Sequence, residues 1–261
     1  MKLINKMQSV FYFIGGVSLL ILIWQIIAIL TKNNQLPIPG PAQTFLVLEE
    51  VMQNPMEDSP DQKGILIKLF SSLGRVFIGF SIGSIIAIPL GILMGNNKFW
   101  MNLLNPIVQI LRPVSPLAWF PLGLLALESA EGASVFMVVI TSLWPTLINT
   151  AFGVSTLPQD HKNVAKAFDF STFKYITKVM LPFAFPHIIT GLRLAIGVAW
   201  MVIVAGEMLS GGIGLGFFVW DDGFNAGSTE KIIIAIFIIG LVGLLLDKGF
   251  NLLQKRFSYD K

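Results

Sequence analysis

Cysteine is absent from the 261-residue sequence, and histidine occurs only twice. Disulfides and thiol nucleophiles are therefore excluded, and a zinc site is nearly so. Charged residues make up only 13% of the chain, about half the share of a soluble domain. That leaves too little polar surface to cover a globule in water. The formal net charge of +3 is too small to indicate nucleic acid as a partner.

Hydrophobic residues make up 54% of the chain and collect into long runs. A helix needs about 20 apolar residues to cross the hydrocarbon core of a bilayer. Five runs reach or approach this length: about Val10–Leu30, Leu69–Gly95, Ala133–Thr150, Leu181–Leu209 and Ile232–Leu253. The chain is therefore predicted to be an all-α membrane protein, and a large soluble protein is the disfavoured alternative.

A sixth apolar run, about Leu103–Leu127, is interrupted by four prolines. Proline removes a backbone donor and would break a helix in water. In a membrane such a break is tolerated where neighbouring helices or a water-filled cavity satisfy the freed carbonyls. This run is predicted to be a bent span that lines a cavity, which brings the expected number of transmembrane helices to about six.

The first apolar run is predicted to stay in the protein as a span. Lys2 and Lys6 resemble the basic start of a signal peptide. However, the run is longer than the usual about 7–15 apolar residues of such a peptide. No small-x-small cleavage site precedes Thr31.

Lysine and arginine are unevenly divided between the two ends of the predicted spans. With the amino terminus inside, the inner segments contain ten of these residues and the outer segments three. Inner loops of membrane proteins carry the excess of Lys and Arg. Both termini are therefore predicted to be cytoplasmic.

The longest outer segment, residues 31–64, contains a stretch with apolar residues at near-helical spacing, Ala42–Gln53. This pattern is typical of an amphipathic helix on a membrane surface, which caps the bundle or contacts a partner. The chain is accordingly divided into an N-terminal part, residues 1–67, and a transmembrane domain, residues 68–261.

The inner segment of about residues 155–180 is too long for a simple connection between helices, which takes about 2–8 residues. Within it, Asn163-Val164-Ala165 is followed by three residues and Asp169, and nine further residues lead to Val179-Met180-Leu181-Pro182. This spacing resembles the inner-loop motif of ABC importer permeases: Glu-Ala-Ala, three residues, Gly, nine residues, Ile-x-Leu-Pro.

The resemblance implies that this segment contains the coupling helix, which docks into a groove of the ATPase subunit. The implied coupling residues are Asn163, Val164, Ala165, Lys166, Ala167, Phe168 and Asp169. The segment departs from the motif by Asn for Glu, Val for Ala and Asp for Gly. Because Asp accepts left-handed backbone geometry better than most residues other than Gly, docking is expected to survive the last change.

Further matches extend the resemblance over nearly the whole chain after the first span. Arg112–Trp119 and Leu157–Asp160 look most like the nitrate and bicarbonate members of the nitrate/bicarbonate/cyanate/sulfonate branch. The resemblance implies a type I importer permease fold in the plasma (inner) membrane of a bacterium, with a cyanobacterium as one candidate source.

The same resemblance implies a set of partners. These are a second copy of the permease, cytoplasmic ABC ATPase subunits that bind ATP and Mg²⁺, and a periplasmic or lipoprotein substrate-binding protein. No cofactor is expected in this chain.

Charges in or near the predicted spans need a reason, because burial in lipid costs a few kcal/mol or more. They are Arg75, Arg112, Arg193 and Glu207. An arginine in the pathway would favour a planar oxyanion, since its fork donates two parallel hydrogen bonds. The alternative is pairing with one another or with backbone carbonyls. Structural roles are favoured for Arg75 and Arg112, and both roles stay open for Arg193.

Polar and aromatic residues in the spans complete the candidate pathway. The full set is Arg112, Ser115, Trp119, Trp144, Asn149, Arg193, Trp200 and Glu207. Anchoring at the membrane interface is the alternative role for the tryptophans.

Glycine recurs in two patterns. Gly79-x-x-x-Gly83 and Gly91-x-x-x-Gly95 permit close contact between helices. The run Gly211–Gly216 lacks the strand–turn–helix context of a dinucleotide fingerprint. It is predicted to be a flexible or tightly turned outer loop, where a binding protein could dock.

The predicted function is the permease subunit of an ATP-driven importer for a small oxyanion. Nitrate is the first candidate, bicarbonate and cyanate follow, and alkanesulfonates come last. No Gly-x-x-x-x-Gly-Lys-Ser/Thr motif occurs, so ATP hydrolysis must lie in another subunit. The alternative from a different class is an ATP-independent secondary anion transporter, although no convincing internal repeat supports it. A membrane enzyme would need a convergent catalytic or metal set that is absent from the sequence.

Overall fold

The computed structural model describes the backbone of residues 2–33, 37–59 and 62–257. Throughout these ranges the regular elements are helices, and extended pairing is limited to one isolated bridge between Asp58 and Lys63. The predicted all-α class is therefore confirmed. In chain order the elements are α1 (Lys2–Leu30), α2 (Pro41–Val51), α3 (Ile65–Asn96), α4 (Lys98–Leu111), a 3₁₀ turn (Pro116–Trp119), α5 (Phe120–Leu127), α6 (Ala130–Ser155), α7 (Gln159–Ala167), α8 (Thr172–Tyr175), a π-helical turn (Ile176–Met180), α9 (Leu181–Ser210), α10 (Leu215–Phe217), a second π-helical segment (Phe218–Asn225) and α11 (Thr229–Phe257).

Four described helices are long and apolar enough to cross a membrane: Ile65–Asn96, Ala130–Ser155, Thr172–Ser210 and Thr229–Arg256. The bent pair of α4 and Pro116–Leu127 makes a fifth if it counts as one span. The apolar part of α1 that the structure describes, Ile14–Leu30, is shorter than these. The described chain thus holds four or five clear spans, and the sixth, in α1, stays a prediction.

The inward orientation of both termini also stays a prediction. Of the basic residues on which it rests, Lys261 lies outside the described residues, as do the side chains of Lys2 and Lys6.

The predicted bent span has its break at the prolines. α4 ends at Leu111, and helical structure resumes at Pro116 with its axis bent by 98°. Pro113 and Pro116 lack a backbone N–H. Arg112, before Pro113, keeps helical geometry, whereas Ser115, before Pro116, leaves it with ψ of 131°, as is usual for a residue that precedes proline. The backbone N–H of Val114 donates to the Leu111 carbonyl, only three residues back. A tight turn therefore replaces the α-helical ladder at this point.

Glycines let α3 approach α6 closely. A Cβ atom built on Gly83 would lie 2.6 Å from the Val139 carbonyl oxygen, so a side chain there would collide with backbone. The same closeness recurs at Gly79, Gly91 and Gly95. Helix contact through small residues is the usual packing device in membranes, and the close packing predicted from the two glycine patterns is confirmed.

Contacts divide the chain into two compact units, Met1–Lys68 with Phe218–Ile238, and Leu69–Phe217 with Ile239–Lys261. The first unit contains the predicted amphipathic helix as α2, with Thr44 buried and Phe45 and Leu46 exposed. The Trp24 indole N–H donates to the Pro39 carbonyl at 2.9 Å and ties α1 to the start of α2. The predicted division at residues 67 and 68 stays a prediction.

In the second unit, α6 forms the buried centre and packs along α9. Its hydroxyl groups largely bond to their own helix, as Thr141 does to the Met137 carbonyl and Thr150 to the Thr146 carbonyl, both at 2.7 Å. This back-bonding lets polar side chains lie in an apolar setting without a partner on another helix.

Replacing Gly83 with Ala is expected to destabilise the protein by about 1–3 kcal/mol, the usual cost of overpacking, because its Cβ would meet the α6 backbone. Gly74→Ala is the matched control. It lies on the same helix with open space around its position, and is expected to be neutral or stabilising because Ala favours helix. Thermal unfolding midpoints in detergent compare the two variants. Equal midpoints would contradict the close contact.

Candidate functional site

The break in the bent span opens a cleft between the α4–α5 segment and α6. Its volume is about 270 Å³. Four of the residues predicted for the pathway meet here: Arg112, Ser115, Trp119 and Trp144. Prolines, aliphatic side chains and Thr141 complete the wall, and no carboxylate lines it.

Two hydrogen-bond donors of this cleft have no partner within the part of the chain that the structure describes. The indole N–H of Trp119 is buried and finds no acceptor. No ion pair or side-chain hydrogen bond engages the Arg112 guanidinium. A buried donor without an acceptor costs roughly 1–3 kcal/mol; this applies to the Trp119 indole, whereas the Arg112 side chain is exposed. Together the two donors suit a small species that brings acceptor oxygens and negative charge.

Arg112 also borders a second opening, of about 520 Å³, together with Asn105 and Gln109. The sequence analysis missed these two amides and Thr141. A signal was present, because residues 105, 109 and 112 follow the spacing of one helix face. A polar stripe on an otherwise apolar α4 could have identified them.

The other four predicted pathway residues lie outside this cleft, each with a partner of its own. The Trp200 indole donates to the Ile239 carbonyl at 2.9 Å, and the Asn149 amide donates to the Pro145 carbonyl at 2.8 Å. Arg193 binds both carboxylate oxygens of Asp247, at 2.8 and 3.0 Å, and also the Gln254 side chain at 3.1 Å. Glu207 belongs to a separate buried cluster.

Glu207 is 1% exposed, and both of its carboxylate oxygens accept hydrogen bonds. Its Oε1 accepts from Arg75 Nη1 at 2.8 Å. Its Oε2 accepts from the Ser72 hydroxyl at 2.8 Å and from the Gly216 backbone N–H at 3.0 Å. A buried charge is tolerable only when it is paired and hydrogen-bonded in this way.

This cluster holds the glycine-rich turn after α9. Arg75 Nη1 also donates to the Ile213 carbonyl at 2.5 Å, and the Leu215 backbone N–H donates to the Ser72 hydroxyl at 2.9 Å. A Cβ on Gly214 would lie 2.3 Å from the carboxyl carbon of Glu207. Of the two forms predicted for this run, the structure has the tight turn, packed against a buried ion pair.

The coupling segment is a short helix closed by a left-handed residue. α7 ends at Ala167, and Asp169 follows with φ of 47°. The Asp169 backbone N–H donates to the Lys166 carbonyl at 3.1 Å, and the Phe170 N–H donates to the Ala165 carbonyl at 3.0 Å. These two bonds define a Schellman motif, in which glycine is the usual left-handed residue. Asp169 therefore takes the backbone geometry expected at the position where the family motif has Gly.

The two faces of α7 differ in burial. Ala165 is buried, whereas Val164 and Phe168 are large apolar side chains left exposed. Docking of this exposed face against an ATPase subunit stays a prediction, as do the roles of Asn163, Lys166 and Ala167.

A broken span beside a cleft with unpaired donors, and a capped helix in a long connection between spans, are features expected of the membrane subunit of a transporter. The chain belongs to the family described as binding-protein-dependent transport system inner membrane component, whose sequence model matches residues 87–259. It is thus a permease subunit of an ABC importer and resides in the inner membrane.

Named relatives agree with this membership. The chain is 42% identical over 240 residues to the nitrate import permease protein NrtB of Synechocystis sp.. The aligned region covers 92% of this chain and 86% of NrtB. It is 44% identical over 244 residues to the bicarbonate transport system permease protein CmpB of the same organism, with 93% and 86% covered. The taurine transport system permease protein TauC of Escherichia coli is 29% identical over 245 residues, with 94% and 88% covered.

A solved structure shares the fold. A chain of the MetNI methionine ABC transporter in an inward-facing conformation superposes with a TM-score of 0.67. Its sequence identity is 14%, and the match covers 74% of this chain and 96% of that chain. The predicted type I permease fold is confirmed.

Glu207→Gln is expected to destabilise the protein by about 3–5 kcal/mol, because it leaves the buried Arg75 charge without its main counter-ion. Glu131→Gln is the matched control. Glu131 also binds Arg75, at 2.9 Å, but its side chain is 66% exposed, so the loss should stay below about 1 kcal/mol. Thermal unfolding of the purified complex compares them. A control as damaging as Glu207→Gln would refute the buried pair as the main contact.

Asp169→Gly is expected to leave α7 intact, because Gly takes a positive φ without strain. Asp169→Val is expected to weaken ATPase association about fivefold to thirtyfold, since left-handed geometry costs a residue with a Cβ roughly 1–2 kcal/mol. Asp160→Val, in the first turn of α7, removes the same charge as a control. Co-purification of the ATPase subunits, titrated against salt, measures the effect. Equal ATPase association of the Asp169→Gly and Asp169→Val variants would refute a requirement for left-handed geometry at residue 169.

Proposed function

We propose that this permease forms the translocation pathway for a small oxyanion, with nitrate as the first candidate substrate. The observation that carries the proposal is the cleft at the broken span, where Arg112 and the Trp119 indole N–H are donors without partners among the described residues. Bicarbonate, cyanate and alkanesulfonates are the alternative substrates of the same machine.

The chemistry of the cleft favours a planar anion. A guanidinium presents parallel N–H donors that match two oxygens of a trigonal oxyanion, and an indole N–H adds a single directed donor. Because no carboxylate lines the cleft, the Arg112 charge is left to attract the substrate. A few donors in a largely apolar wall bind weakly, which suits a transit site whose affinity is supplied by an external binding protein.

The relatives support an anion as the cargo without choosing between nitrate and bicarbonate. NrtB and CmpB have nearly the same sequence identity to this chain, 42% and 44%. Both anions are planar, carry one negative charge and present three oxygens. A site built from one guanidinium and one indole donor offers few contacts that differ between these two anions. The uptake measurement below therefore has to rank nitrate against bicarbonate.

We infer that ATP binding in partner subunits drives the pathway through α7. Two ATPase subunits, loaded with ATP and Mg²⁺, would close on each other and pull the coupling segments of two permease copies. The packed helices would then switch between outward-facing and inward-facing arrangements, since packed interfaces are bistable. A substrate-binding protein would deliver the anion from outside. Family membership disfavours the alternative of an ATP-independent secondary transporter.

Arg112→Gln is expected to lower the rate of nitrate uptake at limiting concentration by about tenfold to a hundredfold, the worth of a hydrogen bond to a charged group. Trp119→Phe removes one neutral donor and should cost about fivefold. The assay is ATP-dependent uptake of labelled nitrate in proteoliposomes that contain the permease, its ATPases and its binding protein. Competition by unlabelled bicarbonate or cyanate ranks the substrates.

Two variants serve as controls for this assay. Arg256→Gln removes an exposed arginine at the end of α11, and Trp100→Phe alters an exposed tryptophan at the start of α4. Both are expected to transport as the parent does. Binding-protein-stimulated ATP hydrolysis should persist in Arg112→Gln, which separates a damaged cleft from a damaged complex. Uptake that does not require ATP, or that is unchanged in both cleft variants, would overturn the proposal.

A further inference from the structure

A second polar cleft lies beside the coupling helix, at the junction of α7 with α8 and the end of α3. Its volume is about 300 Å³. The side chains with hydrogen-bonding groups that line it are Asn96, Gln159, Lys162, Lys166, Thr172 and Tyr175. Three separate elements therefore contribute polar groups to one small space.

The charge of this cleft is positive. Lys162 and Lys166 line it, and no carboxylate does. Neither lysine forms an ion pair or a side-chain hydrogen bond within the described chain. A third ammonium, that of Lys174, lies 4.2 Å from the ring centre of Phe170, which forms part of the wall. Two ammonium groups thus line the cleft, and a third lies against a residue of its wall.

The neutral groups of the cleft are also suited to an anion. The amides of Asn96 and Gln159 and the hydroxyls of Thr172 and Tyr175 each carry an N–H or O–H donor. Combined with two ammonium groups, they can serve several acceptor oxygens of one ligand. A phosphate group, which has three or four strong acceptor oxygens, matches this set better than a single carboxylate does.

The cleft lies at the end of a membrane span, where the phosphate groups of lipids are located. Asn96 ends α3, and exposed Phe99 and Trp100 follow it at the start of α4, with ring centres 5.4 Å apart. Exposed aromatic residues at the end of a span lie at the level of the lipid headgroups. Basic clusters at that level attract anionic phospholipids.

We propose that this cleft binds a phosphate group, carried by an anionic phospholipid headgroup or free in solution. A bound phosphate bridges Asn96 of α3 to Lys162 and Lys166 of α7, and so holds the coupling helix against the end of a membrane span. The inference rests on the chain being a membrane permease of this family, and it does not depend on which anion is transported.

The test measures binding directly in the complete complex with its ATPases. Nanodiscs of phosphatidylcholine alone, or with phosphatidylglycerol, are compared by native mass spectrometry for retained anionic lipid. Binding of labelled inorganic phosphate is measured in the phosphatidylcholine discs. Lys162→Glu and the double variant Lys162→Gln/Lys166→Gln are expected to weaken binding by about fivefold per lysine charge removed.

Lys178→Gln/Lys255→Gln is the matched control, because it removes two exposed lysines that do not line the cleft. Retained phosphatidylglycerol that only the cleft variants lose supports the site and identifies lipid as the source. Phosphate binding with the same pattern supports the site and identifies the free anion. Binding of neither probe, or equal loss in cleft and control variants, overturns the proposal. Because the readout is binding, it stands whether or not nitrate uptake is observed.

Discussion

The structure depends on one constraint: inside a membrane, backbone and charged groups cannot form hydrogen bonds with water and must find partners within the protein. Each unsatisfied group there costs several kcal/mol. Helices such as α6 and α9 satisfy most of their backbone groups internally. The hydroxyls of Thr141 and Thr150 bond back to their own helix, whereas those of Ser142 and Thr146 find no partner among the described residues. Where prolines interrupt the helix, between α4 and α5, the chain opens a largely apolar cleft to which Arg112 and Trp119 contribute donors. The break in the helix and the proposed anion site therefore coincide.

The same constraint separates two arginines that look alike in the sequence. Arg75 is engaged by Glu207, Glu131 and the Ile213 carbonyl, so its charge is used to hold the turn after α9. Arg112 lies in the proline break, without a counter-ion among the described residues. One arginine is held by the fold, and the other carries the proposed anion site.

The coupling segment keeps the left-handed backbone geometry of the family motif although its glycine is replaced by Asp169. Where the family motif has glycine, Asp169 adopts a positive φ and closes the helix with two Schellman bonds. The short polar side chain of Asp makes this conformation less costly than it is for most residues. On one side of this capped helix lies the exposed apolar face with Val164 and Phe168, and beside it lies the basic cleft with Lys162 and Lys166. The predicted ATPase-docking face and the proposed phosphate site therefore lie on the same short helix.

The sequence by itself determined the helical membrane class, the site of the bent span and the spacing of the coupling motif, because hydrophobic run length, proline chemistry and motif spacing are local properties. It also indicated the close contact at Gly83, since glycine spacing reports the packing of a helix face. Only the tertiary structure decided which charges pair. Arg75 and Glu207 are 132 residues apart, and Arg193 meets Asp247 across 54 residues. It likewise decided that Arg112, Ser115, Trp119 and Trp144 share one cleft while Trp200 and Asn149 do not. Such partners are chosen by the packing of distant helices, which no local pattern encodes.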